Sequence, residues 1–267
     1  MKKLFFALAI LLMNAIGFAQ PLNDIANREV VQEKPVLKYP PIREADIMWE
    51  KRIWRVIDVR EKINQPFAYP NASFFQILTN AAREGEIPLY STETDDFSHQ
   101  LNVDELDAIL FKSDTIIVWD PVTYEETLKV VHNQLNPEDV NRFRVKETWF
   151  FDSQTATMKV RVLGIAPMID VHDEHGNFRY EKPLFWIHYP SSRNALARET
   201  VFNSGNDSSQ MTWEDLFEIR RFSSYIYKES NVRDCKLDEH YAGVDLLLQS
   251  DKINRTIFNY EHDLWSY

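Results

Sequence analysis

The clearest alternation of apolar and polar positions lies between Arg142 and Ile165. In RFRVKETWFF, Phe143, Val145, Trp149 and Phe151 alternate with Arg142, Arg144, Lys146 and Thr148; in ATMKVRVLGI, Met158, Val160 and Val162 alternate with Thr157, Lys159 and Arg161. A period of two predicts two half-buried strands. A short loop, DSQT, would join them as a hairpin, with Phe151 opposite Ala156, Trp149 opposite Met158 and Val145 opposite Val162. That register also sets Lys146 opposite Arg161, on an outer face shared with Arg144 and Lys159. Like charges facing each other across a ladder are mildly destabilising. The basic ribbon therefore asks for acids, from elsewhere in the chain, from another subunit or from anionic lipid head groups.

A different pattern runs from Ile42 to Ile63, which reads as a helix. At about 100° per residue, Ile42, Trp49, Ile53, Val56 and Ile63 form one stripe, Ile47 and Trp54 a second, and Met48 and Val59 a weaker third. A surface helix needs one apolar stripe, so this segment is expected to be covered on at least two sides. It either lies at the centre of the domain or turns its Trp54 side to a partner. Interfaces favour Trp and Arg. Ile47, Trp54 and Arg55 therefore join Arg144, Lys146, Lys159 and Arg161 as candidate partner-binding residues.

The remaining elements follow from caps and breakers. Ser73 is placed to cap a helix over SFFQILTNAAREGE, which ends before Pro88, and Asn102 to cap a short one over VDELDAILF. TIIVWD, residues 115–120, has the β-branched run of a buried strand stopped by Pro121. MIDV, a turn around HDEHGN and FRYEKPLFWIHYP predict a second hairpin. From Ser191 the chain returns to helices in NALARETVF, in TWEDLFEIRRF with Thr212 as cap, and in GVDLLLQSDKINRTIFNYEHDLWSY. The expected fold is α+β, with antiparallel hairpins forming a sheet packed against several helices.

The N-terminal MKKLFFALAILLMNAIGFAQ has two lysines, an apolar run from Leu4 to Phe18 and small residues at Gly17 and Ala19. It reads as a secretory signal peptide over residues 1–19, its apolar run being short of the ~20 residues a spanning helix needs. Residues 20–41 carry four prolines and no sustained period, which predicts an extended arm, tether or linker. Residues 42–267 are left as one domain, with possible subdivision near 136 and 191. Losing Lys2 and Lys3 with the signal takes the formal charge from −11 to −13. So acidic a chain offers no general basis for nucleic-acid binding. The single cysteine, Cys235, forms no internal disulfide, so the core must supply the stability.

Reaction motifs are scarce: the chain has no G-x-S-x-G, H-E-x-x-H, P-loop or paired-cysteine motif. The best metal-ligand composition is His172, Asp173, Glu174 and His175, which would make the chain a periplasmic metal-dependent hydrolase, with zinc as the candidate ion. His175-Gly176-Asn177, however, has the composition of a hairpin turn, and a loop tip supplies no rigid second shell by default. No cofactor is expected.

READIMWEKRIWRVIDVREKIN, the following SFFQIL and the ending RTIFNYEHDLWSY resemble the gliding-motility N family, also called Por N, of the Bacteroidetes type IX secretion system. The resemblance covers nearly the whole mature chain. It implies a non-enzymatic periplasmic subunit, peripheral to the outer membrane. Such a subunit forms a ring with an outer-membrane lipoprotein of the gliding K type and is linked to the periplasmic part of inner-membrane motor proteins of the L and M types. It supplies no catalytic residues. Rings need two different patches on each subunit, for which the Trp54 side and the basic ribbon are the candidates.

Overall fold

The computed structural model describes residues 35–119, 126–173, 175–206 and 210–265, with 112–119, 126–134 and 265 described by their backbone alone. The signal segment, most of the arm, Asp120 and Glu174 lie outside these residues. An eight-stranded, mostly antiparallel sheet organises the chain, and helices cover one of its faces, as expected for an α+β fold.

The strands are β1 (Ile47–Asp58), β2 (Leu89–Tyr90), β3 (Gln100–Leu101), β4 (Phe111–Trp119), β5 (Glu126–Gln134), β6 (Val140–Asp152), β7 (Thr157–His172), β8 (Phe178–Pro183), β9 (Trp186–His188), β10 (Thr200–Val201), β11 (Met211–Thr212) and β12 (Tyr225–Glu229). The helices are α1 (Phe74–Arg83), α2 (Val103–Leu110), α3 (Tyr189–Leu196), α4 (Trp213–Glu218) and α5 (Val244–Trp265). The sheet runs β12-β1-β6-β7-β9-β2-β3, with β8 also paired to β7; β4 and β5 form a separate ribbon, and β10 and β11 another. Strands from both sides of residues 136 and 191 thus share one sheet. No described helix is long and apolar enough to cross a membrane.

The expected helix from Ile42 to Ile63 is instead strand β1, preceded by a short 3₁₀ turn at Glu44–Asp46. Burial alternates over its first half and becomes continuous from Ile53 to Ile57, because β1 lies between β12 and β6 and both of its faces are covered. A doubly covered strand has no single apolar face. Its apolar residues therefore also fall by chance at helical spacing, as Trp49, Ile53 and Val56 do.

The hairpin of β6 and β7 forms in a different register. Phe151 pairs with Met158, Trp149 with Val160 and Val145 with Ile165. Two local features shift it. Asp152 joins the ladder opposite Thr157, its carboxylate accepting from Gln154 N, Thr155 Oγ1 and Lys159 Nζ, while Ala156 takes a left-handed φ of 51° to close the turn. A bulge beside Lys146 and Glu147 then inserts Leu163. Lys146 consequently faces Gly164, and Arg161 faces Thr148, so the expected like-charge pair does not form. The turn shift moves the pairing by an even number, so inward and outward sets survive.

Helices α1 to α4 cover one end of the sheet with an aromatic core of Phe67, Phe74, Phe143, Trp213 and Phe217. The expected caps stand at their helices: Ser73 and Gln76 make a capping box at α1, Thr212 and Asp215 another at α4, and Asn102 precedes α2 with its backbone N–H donating to Glu105. The helix expected over NALARETVF starts earlier, at Tyr189, and ends at Leu196; Thr200–Val201 is strand. Farther along the same face, α5 packs Ile253 and Ile257 on Ile53 and Ile226, stacks Tyr260 on Trp49 at 4.9 Å, and bonds Ser250 Oγ to Ile226 N.

Candidate interaction surfaces

Lys146 and Glu147 are neighbours on β6 and point to opposite faces, and a separate network forms around each. Glu147 is fully buried and accepts from Arg55 Nε at 3.1 Å, Trp149 Nε1 at 3.0 Å and Arg220 Nη1 at 2.8 Å. Arg55 continues to Asn254 on α5, so this hub ties β1, β6, the end of α4 and α5 together. Burial lowers the Arg55 pKa, and Glu147 opposes that shift.

On the other face Trp54, Val56, Ala166, Trp186 and Tyr227 cluster under the loop 91–99. Asp95 of that loop accepts from Trp54 Nε1 at 2.6 Å and receives Lys146, which also bonds the Asp95 carbonyl. Lys146 Nζ lies 5.7 Å from the Trp54 ring centre and 5.3 Å from that of Phe97, and Lys228 sits over the same indole at 4.7 Å. Arg144 stacks over Tyr227 at 4.7 Å. Burial lowers the Lys146 pKa, against the pull of Asp95, and raises Tyr227 to about 12. Phe97 fits only because position 164 is glycine: a Cβ there would stand 2.5 Å from its ring.

The candidate partner residues therefore divide. Arg144, Lys146, Lys159 and Arg161 do share a face, together with Trp54, while Arg55 lies on the opposite one. Trp54, Arg55 and Lys146 are buried among groups of their own chain. Lys159 binds Asp152 at 2.6 Å, and Ile47 is half-buried beside Asp152. Arg161 holds the arm: it donates to the Pro40 carbonyl at 2.8 Å and stacks on Tyr39. Arg193 also stacks on Tyr39 and donates to the Leu37 carbonyl, and Tyr39 donates to Glu218. Burial and Glu218 together push the Tyr39 hydroxyl pKa up.

Groups of catalytic type are held in turns and caps. Asp173 accepts from the backbone N–H of His175 and of Asn177, so it shapes the hairpin turn, and His172 packs on Phe178. Among the described residues no group of three His, Cys, Asp or Glu side chains is placed to hold a metal. Ser191 Oγ lies 3.1 Å from His188 Nδ1, but it also donates to the His188 carbonyl at 2.9 Å, which is a local arrangement at the start of α3.

Among the described residues several apolar patches stay open, one of them where Ile63 and Phe202 line a groove of about 350 Å³; two others lie on α5 and β8. Along α5, opposite its packed side, Val244, Leu247, Leu248 and Phe258 are 71%, 53%, 61% and 73% exposed. On β8, Phe178 and Tyr180 are 57% and 48% exposed, beside a groove of about 670 Å³ that reaches Ile169, Val171 and Leu184. Neither was singled out from sequence. The α5 patch was legible as a second stripe at helical spacing; the groove joins segments far apart in the chain.

Residues 42–266 match the family model described as gliding motility associated protein GldN. No curated protein matches the chain.

Proposed function

From the premise that this chain belongs to the GldN family of gliding motility associated proteins, we propose that it is a non-enzymatic structural subunit of the type IX secretion and gliding machinery. It works in the periplasm, against the outer membrane, in a ring built with an outer-membrane lipoprotein of the gliding K type. That ring is linked to motor proteins of the L and M types. The observation that carries this reading is the distribution of chemistry. Buried ion pairs and cation–π contacts are spent on fixing the sheet, while the described surface leaves apolar patches open at separate places, among them those on α5 and on β8. Two distinct patches on one subunit are what head-to-tail assembly requires. The signal-like segment 1–19 supports export.

Extraction of the chain from its native envelope in mild detergent, followed by sizing and mass spectrometry of its companions, tests the proposal. The expected result is a very large particle containing an outer-membrane lipoprotein. A small species without companions would overturn it.

A further inference from the structure

We propose that the open patches on α5 and β8 are the two halves of one contact: the N-terminal half of α5 of one copy docks against β8 and its groove on the next copy. This rests on the ring reading and assigns the surfaces that would close the ring.

Position is the first argument. β12 is one edge of the sheet, and α5 packs on it through Ile253, Ile257 and Ser250. β8 pairs with the far side of β7, separated from β12 by β1, β6 and β7, with its outer edge unpaired among the described residues. The patches thus occupy opposite sides of one rigid sheet, and joining unlike patches on opposite sides repeats from copy to copy in a way a two-fold contact does not.

Shape and charge favour a second copy as the occupant. The α5 patch is a ridge of Val244, Leu247 and Leu248, with Tyr241 exposed just before it; the β8 patch is an aromatic strand beside a groove of about 670 Å³, large enough to take several side chains. Residues 237–251 carry Asp238, Glu239, Asp245 and Asp251 with no Lys or Arg, and of these acids Asp251 is bound to Arg255 at 2.7 Å. On β8, Arg179 and Lys182 are exposed, whereas its one acid, Glu181, is bound to Arg142 at 2.6 Å; of the two acids that line the groove, Asp170 is also bound to Arg142 and Asp139 is exposed. An acidic apolar ridge therefore meets a groove flanked by Tyr180 and Lys182, with exposed cations in excess over the single exposed acid among the described residues there. Covering an open strand edge with a helix is also one of the ways in which proteins suppress uncontrolled edge pairing, and here the neighbour's helix would supply the cover.

The test uses the full chain in its native cells, with Cys235→Ser to remove the natural thiol. Leu247→Cys and Tyr180→Cys chains are expressed separately and together, and envelopes are treated with a short bismaleimide. Cross-linked dimers are expected only when both variants are present, and adding Arg179→Glu and Lys182→Glu to the Tyr180→Cys chain should cut the yield at least severalfold. Cross-linking of Leu247→Cys with itself would overturn the proposal in favour of a two-fold contact. A large assembly that forms without the mixed cross-link would overturn this pairing and leave the ring reading standing. Absence of any large assembly in envelopes of the unaltered chain would sink both.

Discussion

Glu147 and Lys146 are adjacent in sequence and both almost wholly buried, yet their charges are balanced in different ways. Glu147 is held by Arg55 of β1 and Trp149 of β6, strands that cannot leave without unfolding, and by Arg220 in the turn just after α4. Lys146 is balanced by Asp95, which sits on a loop and is itself 40% exposed. A buried charge anchored by secondary structure acts as a structural rivet. One anchored by a loop depends on a segment that can lift and let water in. Burial alone does not measure what a charge contributes; the mobility of its partner decides the cost of removing it.

The largest effect should come from Glu147→Ala, which strands Arg55 in a dry site and releases Arg220, 23% exposed, toward solvent. A loss of about 3–5 kcal/mol is expected from breaking a buried pair on one side, read as a drop in the urea midpoint. Gly164→Ala should come next. Its Cβ would collide with Phe97 and lift the 91–99 loop, at about 1–3 kcal/mol, the usual cost of overpacking. Hydrogen exchange of residues 91–99 should speed up, and unchanged exchange would show that the loop accommodates the methyl group.

Lys146→Met then sharpens the comparison. It removes a cation whose charged form burial already disfavours, and it leaves Asp95 able to rehydrate, so a change within about 1 kcal/mol is expected. A loss as large as that for Glu147→Ala would break the distinction between rivet and loop. The smallest effect is a titration. Lys159 holds the Asp152 carboxyl down to about 2, from an ordinary 3.8. A carboxylate with a depressed folded pKa contributes stability that is full above the unfolded value and fades as pH falls through the folded one. In Lys159→Ala the Asp152 midpoint, followed by NMR, should climb toward 3.8.

Local rules made part of this fold legible. Ser73 with Gln76 and Thr212 with Asp215 announce their helices because a cap needs only residues three apart. The alternation of Phe143 and Val145 with Arg144 and Lys146 assigned side chains to faces correctly, even though the pairing partners were wrong. The register itself depended on Asp152 turning its carboxylate into the loop and on a bulge at Leu163, and neither leaves a periodic mark. β1 was misread because a strand covered on both faces loses its alternation, and β12 was missed because five residues, YIYKE, are too few to establish a period. The Trp54–Asp95 bond could not be anticipated either: it joins residues 41 apart that only the completed sheet brings together.

Hydrogen exchange, comparing the isolated chain with the large envelope-derived assembly, tests most directly the claim that this is an internally balanced sheet which binds through its two open sides. Protection should appear on assembly in residues 237–251 and 178–184, and the strands around Trp54 and Lys146, with the loop 91–99 above them, should exchange as before. New protection centred on that loop, with 237–251 and 178–184 unchanged, would contradict the account and return the binding surface to the Trp54 face.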